Sequence, residues 1–108
     1  ASIAAARGLL HRIERRYEAA AVHCDRALVA RLERALAKVG APPRRMTSGA
    51  GHDAMAFDGR IPFAMLFVRC KGGVSHNPAE SASAEDIDLA ARALAAFVED
   101  MAAEPAAT

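Results

Sequence analysis

Six consecutive apolar residues, Phe63-Ala64-Met65-Leu66-Phe67-Val68, lead into Arg69-Cys70 and are broken at Gly72-Gly73. No other stretch of the chain constrains its fold as strongly. An unbroken apolar run of this length predicts a strand buried on both faces, as in a parallel sheet covered by helices. A second short strand is expected near Arg44 to Thr47. Two strands make a poor sheet by themselves, so their apolar faces need further strands or a partner chain.

The flanking segments read as helices. Asp25 is a good N-cap. From there Leu28, Val29, Leu32, Leu36 and Val39 recur at three- and four-residue spacing until Gly40 and Pro42-Pro43 end the pattern. Asp53 to Phe57 reads as a short helix between the turn Ser48-Gly49-Ala50-Gly51 and the turn Asp58-Gly59. Ser83 caps the last helix, with Glu85 and Asp86 in its first turn. Its expected buried face is Ile87, Ala90, Ala91, Leu94, Phe97, Val98 and Met101, and Glu104 to Thr108 reads as a frayed tail. The order helix, strand, loop, helix, strand, loop, helix over residues 25–102 is an α/β signature.

Ahead of this unit, Ala1 to Arg7 reads as a helix end with Gly8 as its stop. Leu9 to Val22 fits two descriptions. Alternation sets His11, Ile13, Tyr17 and Ala19 against Arg12, Glu14, Arg16 and Glu18, which suits a half-buried strand. The spacing Ile13, Tyr17, Ala21 suits a helix equally. A chain that begins at Ala1, inside such a helix end, is expected to be an excised or processed piece.

At 108 residues the chain is one domain at most. Hydrophobic residues make up 53%, but alanine inflates that figure and aromatics are only 5%, so the core must use small and medium side chains. A net charge of +1 argues against a nucleic-acid footprint. The local basic clusters Arg12, Arg15, Arg16 and Arg44, Arg45 have no interleaved aromatics and read as solvated faces. Cys24 and Cys70 form neither a zinc-type pair nor a disulfide framework. With no signal peptide and no run of membrane-spanning length, the expected compartment is the cytoplasm.

Two loops carry candidate chemistry. His76, in Ser75-His76-Asn77-Pro78-Ala79-Glu80, follows the apolar run and the glycine pair. Functional side chains gather beyond the carboxyl ends of strands in open α/β sheets. Asn77-Pro78 fixes a turn behind the imidazole, which is a good zinc ligand when neutral. The plainer alternative is a loop histidine that caps a backbone group. A catalytic zinc needs about three protein ligands and an open position, and no second histidine or carboxylate stands at ligand spacing from His76. In Ser48-Gly49-Ala50-Gly51-His52-Asp53, glycines allow backbone N–H groups close to an anion, and the helix start adds a positive dipole. The alternative there is a tight turn capped by Ser48 or Asp53. His52 and Asp53 are either partners that orient a ligand or ordinary helix-start residues. His11 and His23 have no catalytic neighbours.

Taken together, Thr47-Ser48-Gly49-Ala50-Gly51-His52-Asp53-Ala54, Ile61 to Val68 and Gly73-Val74-Ser75-His76-Asn77-Pro78-Ala79-Glu80 resemble the C-terminal part of the zinc-dependent amidohydrolases. That family includes allantoate amidohydrolase, N-carbamoyl-L-amino-acid hydrolase and β-ureidopropionase, and shares its fold with dinuclear zinc aminopeptidases. The resemblance covers residues 1–102. It implies that His76 is a zinc ligand, that Gly49, Ala50, Gly51 and His52 line the pocket of a small ureido substrate, and that Asp53 stands behind them. It implies that residues 1–22 end a lid and dimerisation domain, with Leu10 to Ala19 as its last strand. Residues 23–108 would then belong to the catalytic domain.

The complete enzymes of that family use two zinc ions. The sequence lacks the upstream ligands that the resemblance calls for: a His-x-Asp motif, a glutamate pair and another histidine. It also lacks the general-base glutamate and the lid arginine. The resulting expectation is a C-terminal fragment, inactive alone, of a homo-oligomeric hydrolase acting on linear amide C–N bonds. The rivals are a non-catalytic α/β module that dimerises to complete its sheet and a small anion-binding protein built on the Gly49 to Gly51 turn.

Overall fold

The computed structural model describes residues 3–103. The first two residues of the expected helix end, Ala1 and Ser2, and the expected frayed tail at 104–108 lie outside the described residues. Among the described residues three α-helices form: α1 (Ile3–Ala6), α2 (Arg26–Lys38) and α3 (Ala84–Ala103), with short 3₁₀ segments at Asp53–Phe57 and Lys71–Gly73.

The helix boundaries follow from local chemistry. The Asp25 carboxylate accepts from the Leu28 N–H at 2.9 Å, satisfying one of the donors that a helix start leaves free. At the other end Gly40 sits at φ 77°. Its N–H reaches the Ala37 carbonyl at 3.1 Å and the Ala41 N–H reaches the Leu36 carbonyl at 2.9 Å. This is the Schellman arrangement, which needs a left-handed residue that glycine supplies without strain. Gly8, at φ 64°, ends α1 in the same way, with Leu9 N–H on the Ala4 carbonyl at 2.9 Å. Ser83 Oγ accepts from the Asp86 N–H at 3.1 Å and donates to the Asp86 carboxylate at 2.9 Å, fixing the start of α3.

The core lies where α2 packs on α3. Its buried side chains are small: Leu32, Ala35, Ala41 and Ala93. Salt links brace the edge of this interface. Asp100 receives Arg31 at 3.4 Å, Arg34 at 3.1 Å and Lys38 at 3.6 Å, three successive cations along one side of α2.

Three expectations are corrected. The α/β pattern is not realised among the described residues, because Leu10 to Ala19, Arg44 to Thr47 and Phe63 to Cys70 form no sheet ladder. A strand is held by hydrogen bonds to a neighbour in register, and no two described segments pair in that way. Phe63 instead fastens the start of α2, its carbonyl accepting from Asp25 N–H at 2.8 Å. Second, residues 9–21 form neither strand nor helix and are exposed throughout. They help to stretch the chain to a radius of gyration of 19.2 Å, against about 13 Å for a compact domain of this length.

Third, the buried face of α3 is rotated from the expected one. Leu89, Ala90, Ala93, Ala96 and Phe97 turn inward, while Ile87, Leu94, Val98 and Met101 stay outside at 42–57% exposure. The apolar arc of α3 is wider than one helix partner can cover, and α2 takes the side on which alanines permit close approach.

Candidate functional site

The two loops singled out by sequence meet. A cleft of about 750 Å³ is lined by Ser48, Gly49, Ala50 and His52 on one side and by Ser75, His76 and Glu80 on the other, with Met65 to Val68 forming part of its wall. The imidazoles of His52 and His76 face each other edge to face, with ring centroids 5.8 Å apart and planes at 80°. Phe67 approaches His52 similarly, at 6.0 Å and 68°. The apolar run therefore positions the site although it forms no ladder. It carries the aromatic ring against which His52 rests.

Each histidine has a hydroxyl on one ring nitrogen. Ser48 Oγ lies 2.7 Å from His52 Nε2, and Ser75 Oγ lies 2.9 Å from His76 Nδ1. His76 is exposed and left-handed, at φ 57°, a conformation that non-glycine residues adopt seldom. Its loop is closed by two side chains and one backbone bond. Glu80 Oε2 accepts from the His76 N–H at 2.7 Å, Asn77 Oδ1 accepts from Ala79 N–H at 2.9 Å, and the Asn77 carbonyl accepts from Glu80 N–H at 2.9 Å. Glu80 Oε1 lies 3.7 Å from Cys70 Sγ. Burial, then the Glu80 and Asp86 carboxylates, push the Cys70 thiol above its usual range.

The glycine turn is less of an anion cradle than its sequence suggests. The Ala50 N–H is already taken by Ser48 Oγ at 3.1 Å. Gly49 and Gly51 do not have positive φ, and a Cβ on either would meet nothing within 4 Å. Nothing within the described residues demands glycine at these positions; what they leave is open space at the edge of the cleft. Gly51 and Asp53 are not part of the lining, and Asp53 stands exposed at the head of the 3₁₀ turn.

Glu80 acquires a role that sequence reasoning did not give it, and Ser48, expected only as a cap of the turn, also reaches His52. For Ser48 the signal was present: a hydroxyl four residues before a histidine, across a turn of small residues. For Glu80 it was the Asn77-Pro78 turn, which returns the chain onto His76.

Zinc fits this arrangement as one donor's worth of chemistry. Ser75 Oγ lies on His76 Nδ1, so a metal could be taken only through Nε2, and a hydrogen bond on the other ring nitrogen is the usual support of a metal-bound histidine. Among the described residues no group of three or more His, Cys, Asp or Glu side chains could hold a metal ion. No described helix is long and apolar enough to cross a membrane.

Comparison with known proteins agrees with the two-loop resemblance. A probable allantoate deiminase of Oryza sativa subsp. japonica is 43% identical over 88% of this chain and 22% of its own length. An N-carbamoyl-L-amino acid amidohydrolase of Geobacillus stearothermophilus is 39% identical over 86% of this chain and 23% of its own length. An allantoate amidohydrolase of Bacillus subtilis (strain 168) is 53% identical over 45% of this chain and 12% of its own length. The chain thus spans less than a quarter of these relatives. No solved structure matches it. The model of peptidase family M20/M25/M40 matches residues 10–100, and the chain belongs to that family.

Proposed function

We propose that these residues form one wall of the catalytic centre of a zinc-dependent amidohydrolase that cleaves a linear amide C–N bond in a ureido compound, either allantoate or an N-carbamoyl amino acid. The observation that carries this reading is the meeting of His52 and His76 across one cleft, 5.8 Å apart, in a chain whose relatives carry those activities in their names. In it His76 is a zinc ligand through Nε2, oriented by Ser75. His52 and the open edge at Gly49, Ala50 and Gly51 receive the substrate, and Asp53 supports them from outside the cleft. Zinc, two ions in the complete centre, supplies Lewis acidity to the scissile carbonyl and a water of lowered pKa. The chain's own residues hold, orient and donate hydrogen bonds.

The reading places the remaining ligands and the general base on further polypeptide, so that residues 23–108 complete a catalytic α/β domain and residues 1–22 belong to a lid and dimerisation domain. The 108 residues alone are then inactive. The exposed row Ile87, Leu94, Val98 and Met101 and the uncovered segment 9–21 support contacts with further structure, including a second copy in a homo-oligomer. The cytoplasm is the proposed compartment.

The test is zinc content and ammonia release from allantoate and N-carbamoyl-L-amino acids, measured on protein of the relatives' length with His76 intact and with His76→Ala. The proposal expects the variant to lose zinc and turnover together. Equal zinc content and equal turnover in both proteins would sink it, and equal zinc with no turnover in either would favour the non-catalytic module.

A further inference from the structure

The Ser48 hydroxyl has three polar neighbours and one proton to give. It accepts from Ala50 N–H at 3.1 Å. The groups that can take its proton are His52 Nε2 at 2.7 Å and the Ala50 carbonyl at 3.5 Å. A neutral imidazole carries one N–H and one bare nitrogen. If Nε2 held the proton, it would donate to Ser48, and the hydroxyl proton would be left with a carbonyl at the limit of hydrogen-bond range. If Nε2 is bare, the hydroxyl donates across the short contact while still accepting from Ala50 N–H. The ring is also held in place, with Phe67 at 6.0 Å and His76 at 5.8 Å, both edge to face. A half-turn of the imidazole would put Cε1 in place of Nε2 and break the Ser48 contact.

We propose that Ser48 is a positioning residue that locks neutral His52 in its Nδ1–H tautomer, so that His52 presents a hydrogen-bond donor, not an acceptor, through Nδ1. Nε2–H is the form an unconstrained histidine prefers in water, so the hydroxyl reverses the intrinsic choice. The tautomer follows from the contacts alone. Its use rests on the function proposed above: a bound ureido substrate offers carbonyl and carboxylate oxygens, which only a donor can engage, and the Nδ1–H form selects for them.

The test is nitrogen-15 NMR of the histidine rings in the full 108-residue chain, without metal or substrate, at a pH above the ordinary histidine pKa of about 6.5. Long-range proton–nitrogen correlations report which ring nitrogen carries hydrogen. The proposal expects Nδ1–H for His52 in the unmodified chain, Nε2–H in Ser48→Ala, and Nδ1–H again in Ser48→Thr, which keeps the hydroxyl. Nε2–H in the unmodified chain overturns it, and so does an unchanged tautomer in a Ser48→Ala chain whose helical circular dichroism is intact. If Ser48→Ala fails to fold, the unmodified chain and Ser48→Thr still decide. In protein of the relatives' length, Ser48→Ala is expected to raise KM about tenfold, with kcat less affected and Ser48→Thr restoring it, equivalent to about 1.4 kcal/mol of lost binding. Because the NMR readout needs neither zinc nor turnover, a wrong substrate assignment and a wrong tautomer fail in different experiments.

Discussion

The backbone N–H of His76 donates to Glu80 Oε2 at 2.7 Å, so the histidine at the mouth of the cleft takes its backbone conformation from a carboxylate four residues on. The same carboxylate approaches the Cys70 thiol through Oε1. Glu80 thereby ties the loop that carries His76 to the end of the apolar segment. Replacing Glu80 by Ala removes a charged acceptor from that N–H. Hydrogen bonds to charged groups are worth about 1.5–3 kcal/mol in protected settings, and less here because the pair is exposed. Amide exchange at His76 should accelerate by roughly tenfold or less, the equivalent of up to about 1.4 kcal/mol, while amides of α2 and α3 stay unchanged. Exchange measured residue by residue checks this, and an unaltered His76 rate would show that the contact does not hold the loop.

His76 at φ 57° also predicts an unusual ranking of substitutions. The left-handed region costs a non-glycine residue roughly 1–2 kcal/mol, and glycine escapes that cost. His76→Gly should therefore be at least as stable as the unmodified chain, and His76→Val should be less stable by about 1 kcal/mol or more, since β-branching makes positive φ worse. Urea unfolding of the three chains gives the order. A valine variant as stable as the glycine variant would contradict the backbone assignment.

What the sequence discloses depends on how local the cause is. The limits of α2 were legible because their causes sit within a few residues: Asp25 on the Leu28 N–H and Gly40 at positive φ. The start of α3 at Ser83 and the short turn at Asp53 were legible for the same reason. Phe63 to Cys70 forms no ladder among the described residues, because an apolar run reports only that a segment seeks burial. Whether it becomes a strand depends on a partner that the run cannot specify. The rotation of α3 was hidden for a related reason: its apolar arc satisfies two faces, and the choice between them belongs to α2. At the site, His76 and the Ser48 to His52 turn were visible separately, but the 5.8 Å approach of the two imidazoles joins residues 24 positions apart and needed the fold.

The cap on α2 gives a local stability prediction. Asp25→Ala removes the acceptor for Leu28 N–H, and loss of such a cap typically costs about 1 kcal/mol. Asp25→Asn retains a capping oxygen and should lose much less. The Asp25 N–H bond to the Phe63 carbonyl survives either change, since it uses the backbone. Denaturant midpoints for the two variants separate the cap from the carboxylate's charge, and equal losses would assign the effect to charge.

Asp100 supplies the acid dependence. The Arg34 hydrogen bond, with the charges of Lys38 and Arg31 behind it, holds its carboxyl below the usual carboxylate range even though burial works the other way. A carboxyl whose folded pKa is depressed stabilises the fold above its unfolded pKa, about 3.9 for aspartate, and loses that stabilisation as pH falls through the folded value. Asp100→Asn should therefore be less stable than the unmodified chain at pH 7, and the gap should close as pH drops below about 4. Glu33, depressed by its two-pronged hydrogen bonds with Arg45 at 2.7 and 2.9 Å, acts in the same sense and would keep a residual acid slope in the variant. Stability measured between pH 7 and pH 2 tests both statements; a gap that persists unchanged at the lowest pH would refute the role given to Asp100.

Cys70 offers a chemical reading of the loop that needs neither metal nor substrate. Its thiol is pushed up first by burial, next by the charge and hydrogen bond of Glu80, and then by Asp86. The thiolate is the nucleophile in alkylation, so a raised pKa slows the reaction at neutral pH. Glu80→Gln removes the nearer negative charge while keeping a side chain of similar shape. Alkylation of Cys70 by iodoacetamide at pH 7.5 should then speed up, and the two chains should converge at a pH where both thiols are fully ionised. Local opening of the loop would give a different pattern, with faster alkylation in the variant at every pH, because access and not ionisation would have changed. Convergence at high pH therefore shows that Glu80 acts on Cys70 through its charge, in a loop that stays closed around His76.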